Sequence, residues 1–106
     1  MKVRIAIVDD EIMVCRRLSQ ALTKDGYDVE AFTTGRSFLD SMSQEHFDIV
    51  ISDLMLPDMS GVEVLVLGKA MRSDAEFIII TGHGSIDTAI EAIQKGGATT
   101  PPSRSS

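Results

Sequence analysis

The sequence lacks several features that define large classes of proteins. It contains a single cysteine, Cys15, which excludes an intrachain disulfide and most cysteine-based metal sites and is typical of a reducing compartment. No apolar run approaches the roughly 18 residues that a membrane-spanning helix needs. The apolar run near the N-terminus ends in Asp9, Asp10 and Glu11, not in the small residues of a signal-peptide cleavage site. We therefore expect a cytoplasmic protein with no membrane association.

Basic residues are also scarce. Lys and Arg number 10 against 16 Asp and Glu, which gives a formal net charge of −6. An excess of acids disfavours binding to the phosphates of nucleic acids, so we expect no direct nucleic-acid contact. The remaining composition, 43% hydrophobic and 25% charged over 106 residues, is that of one soluble globular domain at most.

Apolar runs alternate with helical patterns four times along the chain. Three runs, 3–8, 49–52 and 77–80, are nearly continuous, which is typical of strands covered on both faces. A fourth run, 27–32, alternates apolar and polar residues and indicates a half-exposed strand at a sheet edge. A helical pattern follows each run. This alternation predicts an α/β fold, a doubly wound parallel sheet with helices on both faces.

Capping residues mark where the helices begin. Thr34 opens a short second helix, and Ser60 with Glu63 three residues later fits a capping box for the third. Residues 82–84 are predicted to form a turn, with Ser85 as the cap of the fourth helix.

Polar residues stand where three of the predicted strands end. Asp9 and Asp10 follow the first strand, Asp53 follows the third and Thr81 follows the fourth. In an open parallel sheet, ligands bind outside the carboxyl ends of the strands, at the switch in strand order. If the first and third strands are neighbours, three carboxylates converge there and need a cation or a proton.

Mg²⁺ suits such a cluster, because it binds one or two carboxylates and takes a phosphate oxygen as a further ligand. The cluster therefore predicts Mg²⁺-assisted phosphoryl chemistry, in which a carboxylate can be the nucleophile and form an aspartyl phosphate. The hydroxyl of Thr81 can hydrogen-bond the transferred group, and Gly82 leaves room for a phosphate beside the backbone.

Three ordered motifs resemble the receiver domain of two-component response regulators. They are VDDE at 8–11, DLMLPDMSG at 53–61 and ITGHG at 80–84. The resemblance covers about residues 3–97, and 82–95 is most similar to receivers of the nitrogen-regulation type of transcriptional activator. It implies a flavodoxin-like fold with strand order 2-1-3-4 and a signalling module rather than an enzyme.

The resemblance also implies a role for each motif residue. Asp53 matches the phosphoacceptor. Asp10 and Asp53 match the direct carboxylate ligands of Mg²⁺, Asp9 assists through water, and the backbone carbonyl of Met55 matches the third protein ligand. Thr81 matches the switch hydroxyl that moves toward the phosphoryl group. The phosphodonor implied is a histidine kinase or a phosphotransfer protein.

The C-terminal part departs from the receiver pattern. Receivers continue with a fifth strand, which carries a switch aromatic and a Lys-Pro pair, and a fifth helix. Here a Ser/Thr/Pro-rich segment, 98–106, follows instead. We therefore expect an incomplete receiver domain over 1–97 and an atypical tail over 98–106, with the fifth strand and helix missing or replaced.

A missing fifth strand would leave the run 77–80 as an apolar sheet edge. Such an edge invites pairing with another chain. We therefore predict a homodimer or an oligomer that exchanges elements, formed through this edge, or else a domain of reduced stability.

Three functional hypotheses remain open at this point. The first is a phosphoacceptor domain that uses Asp53 and Mg²⁺. The second is a truncated receiver fragment that no longer switches and acts as an interaction or dimerisation module. The third, a Mg²⁺-dependent phosphatase with an aspartyl nucleophile, is disfavoured, because such enzymes usually carry a second acid two residues after the nucleophile, where this chain has Met55.

Several single residues have simpler interpretations. Asp58 is predicted to be a turn residue, Cys15 a small core residue, and Met13, Met42 and Met71 packing and helix-forming residues. The run 65–67 makes the third helix apolar nearly all round, which means either deeper burial or a self-association face.

Overall fold

The computed structural model describes residues 3–72, 74–81 and 83–96, of which residues 83–85 and 96 are described by their backbone alone. The strands lie parallel in one sheet in the order β2-β1-β3-β4, which confirms the predicted doubly wound α/β fold and strand order 2-1-3-4. Strands and helices alternate as β1 (Arg4–Val8), α1 (Ile12–Lys24), β2 (Asp28–Phe32), α2 (Gly35–Met42), β3 (Ile49–Asp53), α3 (Gly61–Met71), β4 (Glu76–Ile80) and α4 (His83–Gly96).

The alternation of side chains along β1 divides the core into two layers. Ile5 and Ile7 belong to a cluster with the apolar residues of α1 and α4 on one face of the sheet. Ala6 and Val8 belong to a second cluster with α2 and α3 on the other face. All four side chains are fully buried. The first strand is therefore covered on both faces, as its continuous apolar run predicted.

Two of the predicted helix starts are confirmed. The side chain of Thr34 accepts a hydrogen bond from the backbone N–H of Ser37 at 3.1 Å and caps α2. Ser60 and Glu63 form the predicted capping box of α3, each side chain accepting from the other's backbone N–H at 3.1 Å.

The predicted start of the fourth helix is wrong. We expected a turn over residues 82–84 and a cap at Ser85, but α4 already begins at His83. A glycine lowers helix propensity only modestly, and packing of the apolar face against the sheet outweighs it.

Strand β2 lies at one edge of the sheet, as predicted, and β4 lies at the other. The side chains of Phe77, Ile78 and Ile79 on β4 are half-buried. The part of the chain that the structure describes contains four strands. The predicted tail, 98–106, lies outside the described residues.

Helix α3 buries two glycines and one valine and exposes other apolar residues to solvent. Gly61, Val64 and Gly68 are buried, whereas Val66 and Leu67 are exposed. A Cβ on Gly68 would overlap the ring of Phe77, so the helix lies close to β4. Of the two interpretations of the apolar run 65–67, deeper burial therefore fails for Val66 and Leu67.

Helix α1 settles two further interpretations. Cys15 is buried, as predicted, and its thiol donates a hydrogen bond to the backbone carbonyl of Asp9 at 3.2 Å. The three methionines predicted to be packing and helix-forming residues all lie in helices, but only Met42 is buried, whereas Met13 is 62% and Met71 44% exposed. The inward stripe of α1 runs through Val14, Leu18 and Leu22 and leaves the position before Val14 in solvent. Among the described residues, no helix is both long and apolar enough to cross a membrane.

Candidate functional site

Three carboxylates converge at the carboxyl edge of the sheet. Strands β1 and β3 are neighbours, with Val8 paired to Ser52, so the residues that follow them lie side by side. Asp9, Asp10 and Asp53 each offer an oxygen atom, and these atoms all lie within 4.8 Å of one another. The structure thus brings together the three acids that the strand ends predicted.

The three acids differ in their burial. Asp9 is only 4% exposed, Asp53 is half-buried and Asp10 is exposed. One oxygen of Asp9 accepts a hydrogen bond from the backbone N–H of Glu11 at 2.8 Å, which fixes the direction of this carboxylate. The cluster therefore has a buried floor at Asp9 and an open side at Asp10.

Burial and like charge raise the free energy of this cluster when all three carboxyl groups are ionised. The pKa of Asp9 is raised from 3.8 to about 6, mainly by burial and also by the charges of Asp53 and Asp10, while the hydrogen bond from the N–H of Glu11 opposes the rise. Burial also raises the pKa of Asp53, and backbone hydrogen bonds from Met55 and Leu54 oppose this rise. A bound cation would relieve the repulsion.

The donor set fits Mg²⁺. Carboxylate oxygens are hard ligands, and the three oxygens lie within 4.8 Å of one another, so they can gather around a single hard cation such as Mg²⁺. The open side of the cluster leaves positions for water and for a phosphate oxygen. Receiver domains generally bind Mg²⁺ through such acids.

The loop after β3 folds back tightly beside the cluster. Residues Met55 and Ser60 form an isolated antiparallel bridge, and the N–H of Gly61 donates to the carbonyl of Leu54 at 2.6 Å. A Cβ on Gly61 would overlap the backbone carbonyl of Asp53, so this position needs glycine. The side chain of Met55 is 76% exposed, which leaves its backbone as the part that adjoins Asp53.

Thr81 lies next to this loop at the end of β4. Its predecessor, Ile80, pairs with Asp53 in the sheet register and accepts a hydrogen bond from the N–H of Leu54 at 2.9 Å. Thr81 itself is exposed. The structure therefore places Thr81 at the same edge of the sheet as the acids. Gly82 lies outside the described residues.

Asp58 has a contact that sequence reasoning missed. We interpreted it as a turn residue, but its carboxylate accepts hydrogen bonds from the backbone N–H groups of Gly35 and Arg36, at 3.0 and 2.9 Å. No local pattern predicts this contact, because the partners lie more than 20 residues away along the chain.

Comparison with known proteins identifies the family. The sequence model of the family "Response regulator receiver domain" matches residues 5–100. The chain belongs to this family. The receiver resemblance of the three sequence motifs is thereby confirmed, and the chain is a receiver domain of the two-component response regulator type.

Individual relatives support the same assignment. The regulatory protein LuxO of Vibrio vulnificus is 40% identical over 90 residues, which cover 85% of this chain and 20% of LuxO. A CheY-like receiver domain protein from Methanospirillum hungatei superposes with a TM-score of 0.76 at 31% identity and covers 91% of this chain and 77% of its own.

A second solved structure is a response regulator from Burkholderia pseudomallei with a phosphorylated aspartic acid, a calcium ion and citrate. It superposes with a TM-score of 0.72 at 26% identity, covering 90% of this chain and 56% of its own. This receiver domain spans about a fifth of the length of the LuxO proteins that it matches.

Proposed function

We propose that Asp53 is the phosphoacceptor of this receiver domain and that Mg²⁺ assists the transfer. The observation that carries the proposal is the convergence of Asp53 with Asp9 and Asp10 at one edge of the sheet, within 4.8 Å. The phosphorylated aspartic acid in the Burkholderia pseudomallei regulator supports it.

Each site residue has a distinct part in this proposal. Asp10 and Asp53 hold Mg²⁺ directly, Asp9 assists through water, and the backbone carbonyl of Met55 is the third protein ligand. The ion supplies positive charge that offsets the charge on the transferring phosphoryl group. The hydroxyl of Thr81 donates a hydrogen bond to the phosphoryl group once it is on Asp53.

The transfer itself is a substitution at phosphorus. An oxygen of the Asp53 carboxylate attacks the phosphorus of a phosphohistidine on a histidine kinase or phosphotransfer protein. The new O–P bond forms as the N–P bond breaks, and the released imidazole takes up a proton from solvent. The receiver domain acts here as the acceptor of the group and, in this proposal, not as an enzyme with turnover.

The phosphorylation state of Asp53 would then control an output. The matched LuxO proteins are regulatory proteins about five times as long as the aligned segment, so we propose that the signal passes from this domain to an output elsewhere in a cytoplasmic regulator. The receiver domain would make no direct contact with nucleic acid, which agrees with its net charge of −6.

A small acyl phosphate and Mg²⁺ provide the test. We expect the wild type to gain the mass of one phosphoryl group, and we expect Asp53→Asn, or the wild type with a chelator, to gain nothing. Asp40→Asn, at an exposed carboxylate of α2 whose side chain is 74% exposed, is the matched control and should react like the wild type. A gain that persists in Asp53→Asn would contradict the assignment.

A second candidate function is an interaction module that dimerises through β4. The observation that favours it is the position of β4 at the sheet edge with three consecutive half-buried apolar side chains, Phe77, Ile78 and Ile79. Sedimentation velocity should then show a dimer for the wild type and a monomer for Ile79→Lys, because a lysine on an edge strand blocks pairing. A wild type that stays monomeric at all concentrations would exclude this function.

A further inference from the structure

Asp58 joins the loop after β3 to the start of helix α2. One carboxylate oxygen accepts from the N–H of Gly35 at 3.0 Å and the other from the N–H of Arg36 at 2.9 Å. These are the first two residues of α2, whose N–H groups have no partner within the helix. The same two bonds lower the pKa of Asp58, so the carboxylate is held in its charged form.

An apolar contact reinforces this junction. A Cβ added at Gly35 would lie 2.6 Å from both the Cγ and the Sδ of Met59, and 3.1 Å from a methyl group of Val64. The side chain of Met59 therefore occupies the space that the glycine leaves open. The loop is held against α2 by two charge-assisted hydrogen bonds and by close packing of the next residue.

The other end of the loop is tied to the acidic cluster. Met55 and Ser60 form a bridge, and the N–H of Leu56 donates to the carbonyl of Met59 at 3.0 Å, which closes the loop on itself. The loop follows Asp53 directly in the chain, and the backbone N–H of Met55 is one of the groups that lower the pKa of the Asp53 carboxyl. A displacement at Asp58 is therefore passed through a short closed loop to the backbone that orients Asp53.

We propose that Asp58 is a positioning residue for the metal site, because its contact with α2 sets the place of the Met55 backbone and of the Asp53 carboxylate. The inference rests on the proposed function, since it assumes that these groups bind Mg²⁺. The simpler alternative is that Asp58 only caps α2 and that the metal site does not depend on it.

The chain offers a matched control for this alternative. Thr34 also caps α2, through the N–H of Ser37 at 3.1 Å, and has no hydrogen bond to the loop 54–60 among the contacts of the described residues. Thr34→Ala and Asp58→Ala therefore both remove a cap of α2, but only the second releases the loop.

Calorimetric titration with Mg²⁺ and hydrogen exchange of the Leu56 and Gly61 amides separate the two interpretations. We expect Asp58→Ala to weaken Mg²⁺ binding about tenfold, at the low end of the effect of residues that orient metal ligands, and to speed exchange at both amides. Thr34→Ala should lower the melting temperature but leave Mg²⁺ affinity and both exchange rates near the wild-type values. Asp58→Asn keeps one acceptor oxygen and should fall between wild type and Asp58→Ala.

The outcomes separate the inference from the proposed function. If Asp58→Ala and Asp58→Asn bind Mg²⁺ as Thr34→Ala does, the inference is wrong and the proposed metal site stands. If the wild type binds no Mg²⁺, or binds it equally well as Asp53→Asn, the proposed function is wrong and the inference falls with it.

Discussion

Replacement of Asp9 by asparagine tests the acidic cluster most directly. Asp9 is the most buried of the three acids, and its hydrogen bond from the N–H of Glu11 can be kept by the amide oxygen of asparagine. The substitution therefore removes a charge without removing the bond. We expect it to stabilise the metal-free domain at neutral and alkaline pH and to weaken the response to Mg²⁺, because Asp9 assists the ion through water while Asp10 and Asp53 hold it directly.

The size of the effect follows from the pKa. Folding raises the pKa of Asp9 from an ordinary value of 3.8 to about 6, so the folded state holds this proton more tightly than the unfolded state. Below pH about 4 both states are protonated and the group has no effect on stability. Between pH about 4 and about 6 the unfolded state has released this proton and the folded state has not, so the folded state loses about 3 kcal/mol relative to the unfolded state over this interval, at about 1.4 kcal/mol for each pKa unit, and the loss is complete above it.

Asp9→Asn removes this loss. At pH 8 without Mg²⁺, its free energy of unfolding should exceed that of the wild type by up to about 3 kcal/mol, which corresponds to a melting temperature higher by roughly 10–20 °C for a domain of this size. At pH 4 the difference should be small. Addition of Mg²⁺ should raise the wild-type stability by about 2.7 kcal/mol at a hundredfold excess over the dissociation constant, and should raise that of Asp9→Asn less.

Chemical denaturation at a series of pH values, with and without Mg²⁺, measures all of these quantities. Asp40→Asn serves as the control for the loss of a negative charge at the surface, and it should follow the wild type at every pH. If Asp9→Asn is no more stable than the wild type at pH 8 and has the same pH dependence, Asp9 is not desolvated as the structure places it, and the reasoning about the cluster is refuted.

Three further predictions, the first with a control substitution, concern the loop beside the cluster, the core and a surface ion-pair network. Gly61→Ala should lower the free energy of unfolding by about 1–3 kcal/mol, because the added Cβ meets the backbone of Asp53, and it should also weaken Mg²⁺ binding. The control is Gly26→Ala, at a φ of 96° with open space around it, which should destabilise the fold but leave Mg²⁺ binding unchanged. Leu18→Ala should cost about 2–5 kcal/mol in urea denaturation, because the side chain is fully buried; a smaller loss would mean that α1 packs loosely. Arg4→Met should lower the free energy of unfolding by about 1–2 kcal/mol, because the Arg4 guanidinium pairs with three carboxylates and lies over a phenyl ring. The loss should be larger at low salt than at high salt, since salt screens ion pairs. A loss of stability that does not depend on salt would contradict this interpretation.

Local patterns in the sequence determine much of this protein. The four strand and helix units follow from apolar periodicity, and the caps at Thr34 and Ser60 follow from residues within one helical turn. Acids at the ends of the first and third runs mark the functional edge, because a strand that leaves the core needs polar residues there. These features depend on near neighbours, so they can be read without coordinates.

Long-range packing decided the rest. The contact of Asp58 with Gly35 and Arg36 joins residues more than 20 positions apart, and no spacing rule connects them. The start of α4 at His83, before the predicted cap, and the solvent-facing apolar residues of α3 likewise depend on how each helix lies on the sheet.

The acidic cluster shows most clearly which features follow from local sequence patterns and which depend on long-range packing. The sequence by itself determined that Asp9, Asp10 and Asp53 end apolar strands, because the pattern of buried and polar residues is local. Only the tertiary structure decided that β1 and β3 are neighbours and that Asp9 is buried while Asp10 is exposed. Strand pairing and burial are set by contacts between distant segments, and these contacts raise the pKa of one acid in the cluster to about 6.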